Sequence, residues 1–192
     1  MCTFPAFAKQ EQSIKIIQEQ NGNITNIKIE GSLAPTQSLD CISLSEVKAT
    51  YTPPDLHGAM MKCINIEKYD SAVMLFLLAG IYSRFDAERI VDRSAKAGGR
   101  VLIIRTFEKI SSEQKALFAK RSNALWNDTS ERQELCENVK RIGIPTYFPK
   151  YLVLHGLNAY TSKNPLENAL VSDFNSQAIW DGLLDTYLHC PK

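Results

Sequence analysis

The run from Ala72 to Tyr82 sets eleven consecutive uncharged residues between Lys68-Tyr69-Asp70 and Ser83-Arg84-Phe85-Asp86. Met, Leu and Ala outnumber β-branched residues in it, and helix formers continue on both sides, so it reads as a helix rather than a buried strand. At about 1.5 Å per residue such a helix is far too short to cross a bilayer. A helix that is apolar on every side must be covered on every side by the rest of the chain. The run therefore predicts the central helix of a helical domain, about Asp70 to Phe85.

The flanking sequence supplies the covering elements. Thr52-Pro53-Pro54-Asp55 is a helix start with proline at an early position, and the helix it opens, about Asp55 to Ile66, puts Leu56, Ala59, Met60, Cys63 and Ile64 on one face. Asp86 to Lys96 reads as a third helix. Gly98-Gly99 interrupts the pattern, which leaves Val101 to Ile104 as a helix continuation or a short strand. Ser111-Ser112-Glu113-Gln114 resembles a capping box and Asp128-Thr129-Ser130 a further cap, the second helix stopping at Gly143-Ile144-Pro145. An aromatic link, Tyr147 to Tyr151, leads into Leu152 to Tyr160, and Asn175-Ser176 begins a last helix through Leu188. Ahead of all this, Ser13 to Glu30 shows partial alternation around Asn21-Gly22-Asn23 and reads as a β-hairpin. The expected fold is mainly α, an irregular bundle of about six to seven helices with an N-terminal β-hairpin. Its expected divisions are a processed or flexible N-terminus over 1–12, hairpin and linker over 13–38, and a helical domain over 39–192. The Tyr69 to Tyr82 segment resembles a tetratricopeptide helix, but no second copy follows at that family's period, so a single bundle is expected rather than a solenoid.

Basic and acidic residues number 22 and 21, with no long run of either sign, so the footprint of a nucleic-acid or anionic-membrane binder is missing. The five cysteines form neither a CxxC pair nor a close Cys/His cluster, which argues against structural zinc. They suit unrelated thiols in a reducing compartment or long-range disulfides in an oxidising one. Met1-Cys2 followed by Ala6-Phe7-Ala8 looks like the remainder of a cleaved leader, with Cys2 as a lipid-anchor residue or Ala8 as a cleavage site; an ordinary cytoplasmic start is the alternative. An exported chain with Cys2 set aside has four cysteines and three pairings. The pairing expected is Cys63 with Cys136 and Cys41 with Cys190.

Chemistry-bearing motifs are sparse. His57, His155 and His189 are the residues to test for catalysis or metal, and His57-Gly58 and His155-Gly156 could converge in the fold, but no HExxH or related spacing is present. His57 and Cys63, six apart, point to different faces of one helix and make a poor base and nucleophile. Asp86 to Arg93 alternates sign as a solvated or interface face would. Gly98-Gly99-Arg100 lacks the context of a phosphate loop, and no GxSxG occurs. No catalytic residue, metal site or cofactor is expected. Tyr147, Phe148, Tyr151 and Tyr160 offer either a partner-binding patch or packing beneath the link.

Leu44-Ser45-Glu46-Val47, the Tyr69 to Tyr82 helix, Arg84-Phe85-Asp86 through Arg89-Ile90-Val91-Asp92, and Arg141 to Pro145 with Tyr147, Pro149, Tyr151 and His155-Gly156 together resemble a group of proteobacterial envelope proteins. Members of that group occur beside secreted antibacterial toxins. The resemblance spans about residues 40–157 and includes Cys41, Cys63 and Cys136. It implies a small periplasmic or outer-membrane-anchored immunity protein that binds and neutralises a cognate protein toxin, touching the membrane only through an anchor at Cys2. A small envelope hydrolase built on His57 or His155 with an acidic partner is the alternative, and a scaffold protein of an envelope complex a third reading.

Overall fold

The computed structural model describes residues 14–191; the expected lipid-anchor residue Cys2 and the Ala8 cleavage site lie outside them. The chain is mainly α, with a two-stranded antiparallel hairpin at its N-terminal end, β1 (Ile16–Asn21) and β2 (Ile24–Ile29). The expected turn lies between them, with Gly22 at φ +60°. Eight helices follow among the described residues: α1 (Pro53–Asn65), α2 (Tyr69–Arg89), α3 (Gly98–Phe107), α4 (Ser112–Asn127), α5 (Thr129–Ile142), the single turns α6 (Lys150–Val153) and α7 (Asn158–Thr161), and α8 (Ser176–Thr186).

Helix α2 is the axis of the bundle, and α1, α3, α4 and α8 all pack against it. Leu75, Leu78, Ile81, Tyr82 and Phe85 on α2 are essentially inaccessible. Burial of each such side chain is worth about 1.5–3 kcal/mol, which is why the uncharged run sits where four helices meet. Helix starts follow the sequence signals. The Asp55 side chain accepts from the Thr52 amide and hydroxyl at the head of α1, and also from the amides of Thr36 and Gln37 and the Thr36 hydroxyl, so the segment after the hairpin is tied to α1. Ser111 and Gln114 form a reciprocal cap on α4, and Asp128 accepts from Glu131 N on α5. Gly143, at φ +82°, ends α5 in a conformation that disfavours other residues.

Two expectations about the helices change. The third helix does not run from Asp86 to Lys96: α2 extends to Arg89, Ile90 leaves it to pair with Leu170 in an isolated antiparallel bridge, and Arg93–Ala97 is a 3₁₀ turn. Gly98-Gly99 does not interrupt a helix but opens α3, which takes in Val101 to Ile104. Both glycines sit where elements come unusually close. A Cβ on Gly98 would meet Leu152 Cδ1 at 2.5 Å, and one on Gly99 would meet Ser83 Cβ on α2 at 3.0 Å. Leu152 to Tyr160 takes in parts of the single turns α6 and α7.

The four described cysteines are all bridged, but with partners exchanged relative to the expectation: Cys41 pairs with Cys63, and Cys136 with Cys190. Their Cα separations are 4.6 and 5.6 Å, and a cysteine can bond only to a partner within about 7 Å. Cys63 on α1 faces the segment that leads into the helical region, and Cys136 on α5 faces the segment after α8. Each bridge therefore ties one end of the helical region to a neighbouring helix. Two disulfides suit an oxidising, non-cytoplasmic compartment, and no helix among the described residues is long and apolar enough to cross a membrane.

Candidate functional site

His57 lies in the second turn of α1, placed there by the Thr52 and Asp55 cap, and is 4% exposed. Its Nδ1 is 3.2 Å from Thr106 Oγ1 on α3. The Thr106 hydroxyl has one proton and sits only 2.7 Å from the Leu102 carbonyl, to which it donates. Thr106 therefore accepts from His57, which assigns the proton to Nδ1 and leaves Nε2 as an acceptor with no partner among the described residues. Phe76 meets the imidazole edge to face at 6.1 Å. Burial lowers the His57 pKa from 6.5 to about 4, so the ring is neutral at neutral pH.

The same imidazole forms part of the wall of an open cleft of about 400 Å³ between α2 and α3. Phe76, Ala87 and Ile103 supply apolar surface, Ser83 a hydroxyl, and Arg84, Lys96 and Arg100 three cationic groups. The helices approach closely here through Gly99 against Ser83. Arg84 is held by stacking over the Tyr187 ring at 3.8 Å and by donating to the Gly80 carbonyl. Tyr187 can reach this place because residue 80 is glycine: a Cβ there would lie 2.0 Å from the Tyr187 hydroxyl. Lys96 is paired with Glu88 at 3.2 Å. Arg100 is exposed and forms no hydrogen bond or ion pair among the described residues. No carboxylate lines the cleft among those residues. The arrangement can hold a negative charge beside an apolar surface.

A second polar group is fully enclosed. Asp86 Oδ1 accepts from Arg89 Nε at 2.9 Å, and Oδ2 accepts from the hydroxyls of Tyr147 and Tyr151 at 2.9 and 2.7 Å. The Arg89 guanidinium lies over the rings of Phe85 and Tyr147. Its Nη2 is 2.6 Å from Asp86 Oδ1 in an ion pair but has no hydrogen-bond partner. Burial pushes the Asp86 carboxyl above the usual range, against the pull of Arg89 and the two hydroxyls. Both tyrosines are pushed well up by burial and by the Asp86 charge. The alternating charges from Asp86 therefore do not form a solvated face as expected: Asp86 and Arg89 turn inward, and only the remaining charged positions stay outside. Glu88 pairs with Lys96.

The other expected candidates are dispersed. His155 lies over Gly98 at the start of α3, with Nδ1 3.3 Å from Ser32 Oγ; burial, and secondarily Arg105, lowers its pKa. His189 packs edge on against Trp126. No hydrogen bond or ring contact joins the three histidines among the described residues, and those residues contain no group of three His, Cys, Asp or Glu side chains able to hold a metal ion. Cys63 is in a disulfide, which removes it as a nucleophile. Of the four aromatics, Tyr147 and Tyr151 are in the Asp86 cluster, Phe148 is exposed, and Tyr160 donates to the Ile27 carbonyl of the hairpin. The sequence reading missed the cleft altogether. The available signals were Arg84 and Arg100 on either side of a Gly-Gly step, but nothing in their spacing shows that the two helices lie side by side.

Comparison with family models, with curated proteins and with solved structures finds no match for this chain.

Proposed function

We propose that the protein is a non-enzymatic binding protein of the cell envelope, an immunity protein that neutralises a cognate antibacterial toxin. The observation that carries this reading is the pair of disulfides, each fastening one end of the helical region to a neighbouring helix. Such bracing suits an oxidising compartment and keeps a binding surface preformed, which lowers the ordering cost of association. The resemblance over residues 40–157 points the same way. Occlusion would use the helical body, with the hairpin as a second contact by strand addition. Ile16 and Ile27, each 54% exposed, project from the hairpin face on which only Ile29 is covered by Leu154 and Ala159. The hydrolase alternative pairs His57 or His155 with an acidic partner, whereas each of these histidines faces a hydroxyl.

The test is purification of the tagged full-length protein from its own cells, identification of stoichiometric partners, and expression of the captured partner in the periplasm of a sensitive host. Co-expression of this protein with an export signal is expected to restore growth, and co-expression without one is expected to fail. Absence of a toxic partner, or equal rescue from the cytoplasm, overturns the reading.

A further inference from the structure

We propose that the cleft between α2 and α3 is a binding site for a compact organic anion with an aromatic body, a hydrogen-bond donor at its buried end and a carboxylate at its outer end. The inference goes beyond toxin neutralisation and does not depend on it.

Three observations specify the ligand. His57, nine-tenths buried, has its Nδ1 committed to Thr106, and its Nε2 has no partner among the described residues on a ring that lines the cleft. An acceptor on the wall of an open cleft that no protein group among the described residues meets takes a donor from whatever fills the space beside it, water or ligand. Phe76 and Ile103 give that space apolar walls, which suits a flat hydrocarbon body. The charges at the rim are one-signed and unequal in availability. Lys96 is already engaged by Glu88, and Arg84 is held in place by Tyr187 with donors to spare, while Arg100 has no partner. A guanidinium binds a carboxylate through paired donors, so Arg84 and Arg100 define the outer end. The volume of about 400 Å³ lies in the range of small-molecule sites. An inorganic anion would leave the apolar wall unmet.

The test titrates the oxidised full chain with three probes, read by calorimetry and by the imidazole nitrogen NMR shifts of His57. Para-hydroxyphenylacetate has all three features. Para-hydroxyphenethyl alcohol lacks the charge, and phenylacetate lacks the donor. The full probe is expected to bind at one site, with each truncated probe weaker by about tenfold, the effect of one hydrogen bond to a charged or buried partner. Only the two phenols should move the His57 Nε2 resonance. Because substitution of buried His57 could unfold the chain, exposed Arg100 supplies the variant: Arg100→Gln should weaken the acids about tenfold and leave the alcohol unchanged. Equal binding of all three probes, an unaltered ranking in Arg100→Gln, or no binding of any of them overturns the proposal. Binding of an acidic peptide in place of the probes also overturns it, assigning the cleft to a protein partner.

Discussion

Asp86 and His57 are buried ionisable residues on adjacent helices, and the fold treats them in opposite ways. Asp86 is satisfied on both oxygens by an arginine and two tyrosines, whereas His57 is satisfied on one nitrogen and has no partner among the described residues on the other. The first arrangement joins α2 to the link around Tyr147 and to α6, elements some sixty residues later in the chain, and its one unmet group among the described residues, Arg89 Nη2, is itself buried. The second ties α1 to α3 through Thr106 and keeps an acceptor in reserve beside an open space. A carboxylate whose oxygens are both met from within the fold specifies structure; an acceptor left facing open space is where a ligand can be recognised.

The sharpest way to break this contrast is to open the closed network. Arg89→Met leaves Asp86 buried without its cation, and the expected loss is about 3–5 kcal/mol. Urea unfolding at neutral pH checks it. The double variant Asp86→Leu with Arg89→Met should recover most of that loss, because it removes the charge as well as its partner. A single-variant loss below about 1 kcal/mol would mean that the pair is not the fixed point described above.

Acid separates the two sites by sign. The His57 pKa is lowered from 6.5 to about 4, so between these values the unfolded chain binds a proton that the native chain refuses. Its contribution to stability is complete above pH 6.5 and lost as pH falls toward 4, amounting to roughly 3 kcal/mol at most. Asp86 acts in the other direction, since its native pKa is raised above 3.8: its contribution is complete below that value and lost as pH rises through the native pKa. Chemical denaturation from pH 7 to pH 4 should therefore show an acid loss that His57→Phe flattens. Persistence of the full slope in that variant would assign it to other groups.

How much of this was legible in the sequence depends on the distance over which each feature is built. The central helix, the caps at Thr52, Ser111, Asp128 and Asn175, and the stop at Gly143 follow from residues a few positions apart, and the structure has each of them. Disulfide partners, the inward turn of Asp86 and the cleft arise from which helices meet, and local spacing is silent on that. Asp86-Ala87-Glu88-Arg89 reads as a solvated face until Tyr147 and Tyr151 arrive to cover it. Gly98-Gly99 reads as a break for the same reason: the residues that need the missing side chains, Leu152 and Ser83, are distant in sequence.

Within the closed network, the two hydroxyls on one carboxylate oxygen can be compared directly. Tyr147→Phe and Tyr151→Phe should each cost about 2 kcal/mol, as hydrogen bonds to a charged acceptor do. Both donate to Oδ2, so their effects are coupled, and the double variant should depart from the sum of the singles. Strict additivity by thermal or urea unfolding would show that the hydroxyls act independently.

The smallest stability effect belongs to the open site. Arg100 is exposed and without a partner among the described residues, so Arg100→Gln should change unfolding stability by no more than about 0.5 kcal/mol. The comparison turns on that near-neutrality, because removal of Arg89 from the closed network damages the fold in the absence of any ligand. A guanidinium whose removal leaves the fold intact and weakens binding of an aromatic acid is held for recognition. If instead Arg100→Gln destabilised the chain by several kcal/mol, the cationic rim would be part of the scaffold, and the difference between the two sites would be one of exposure alone.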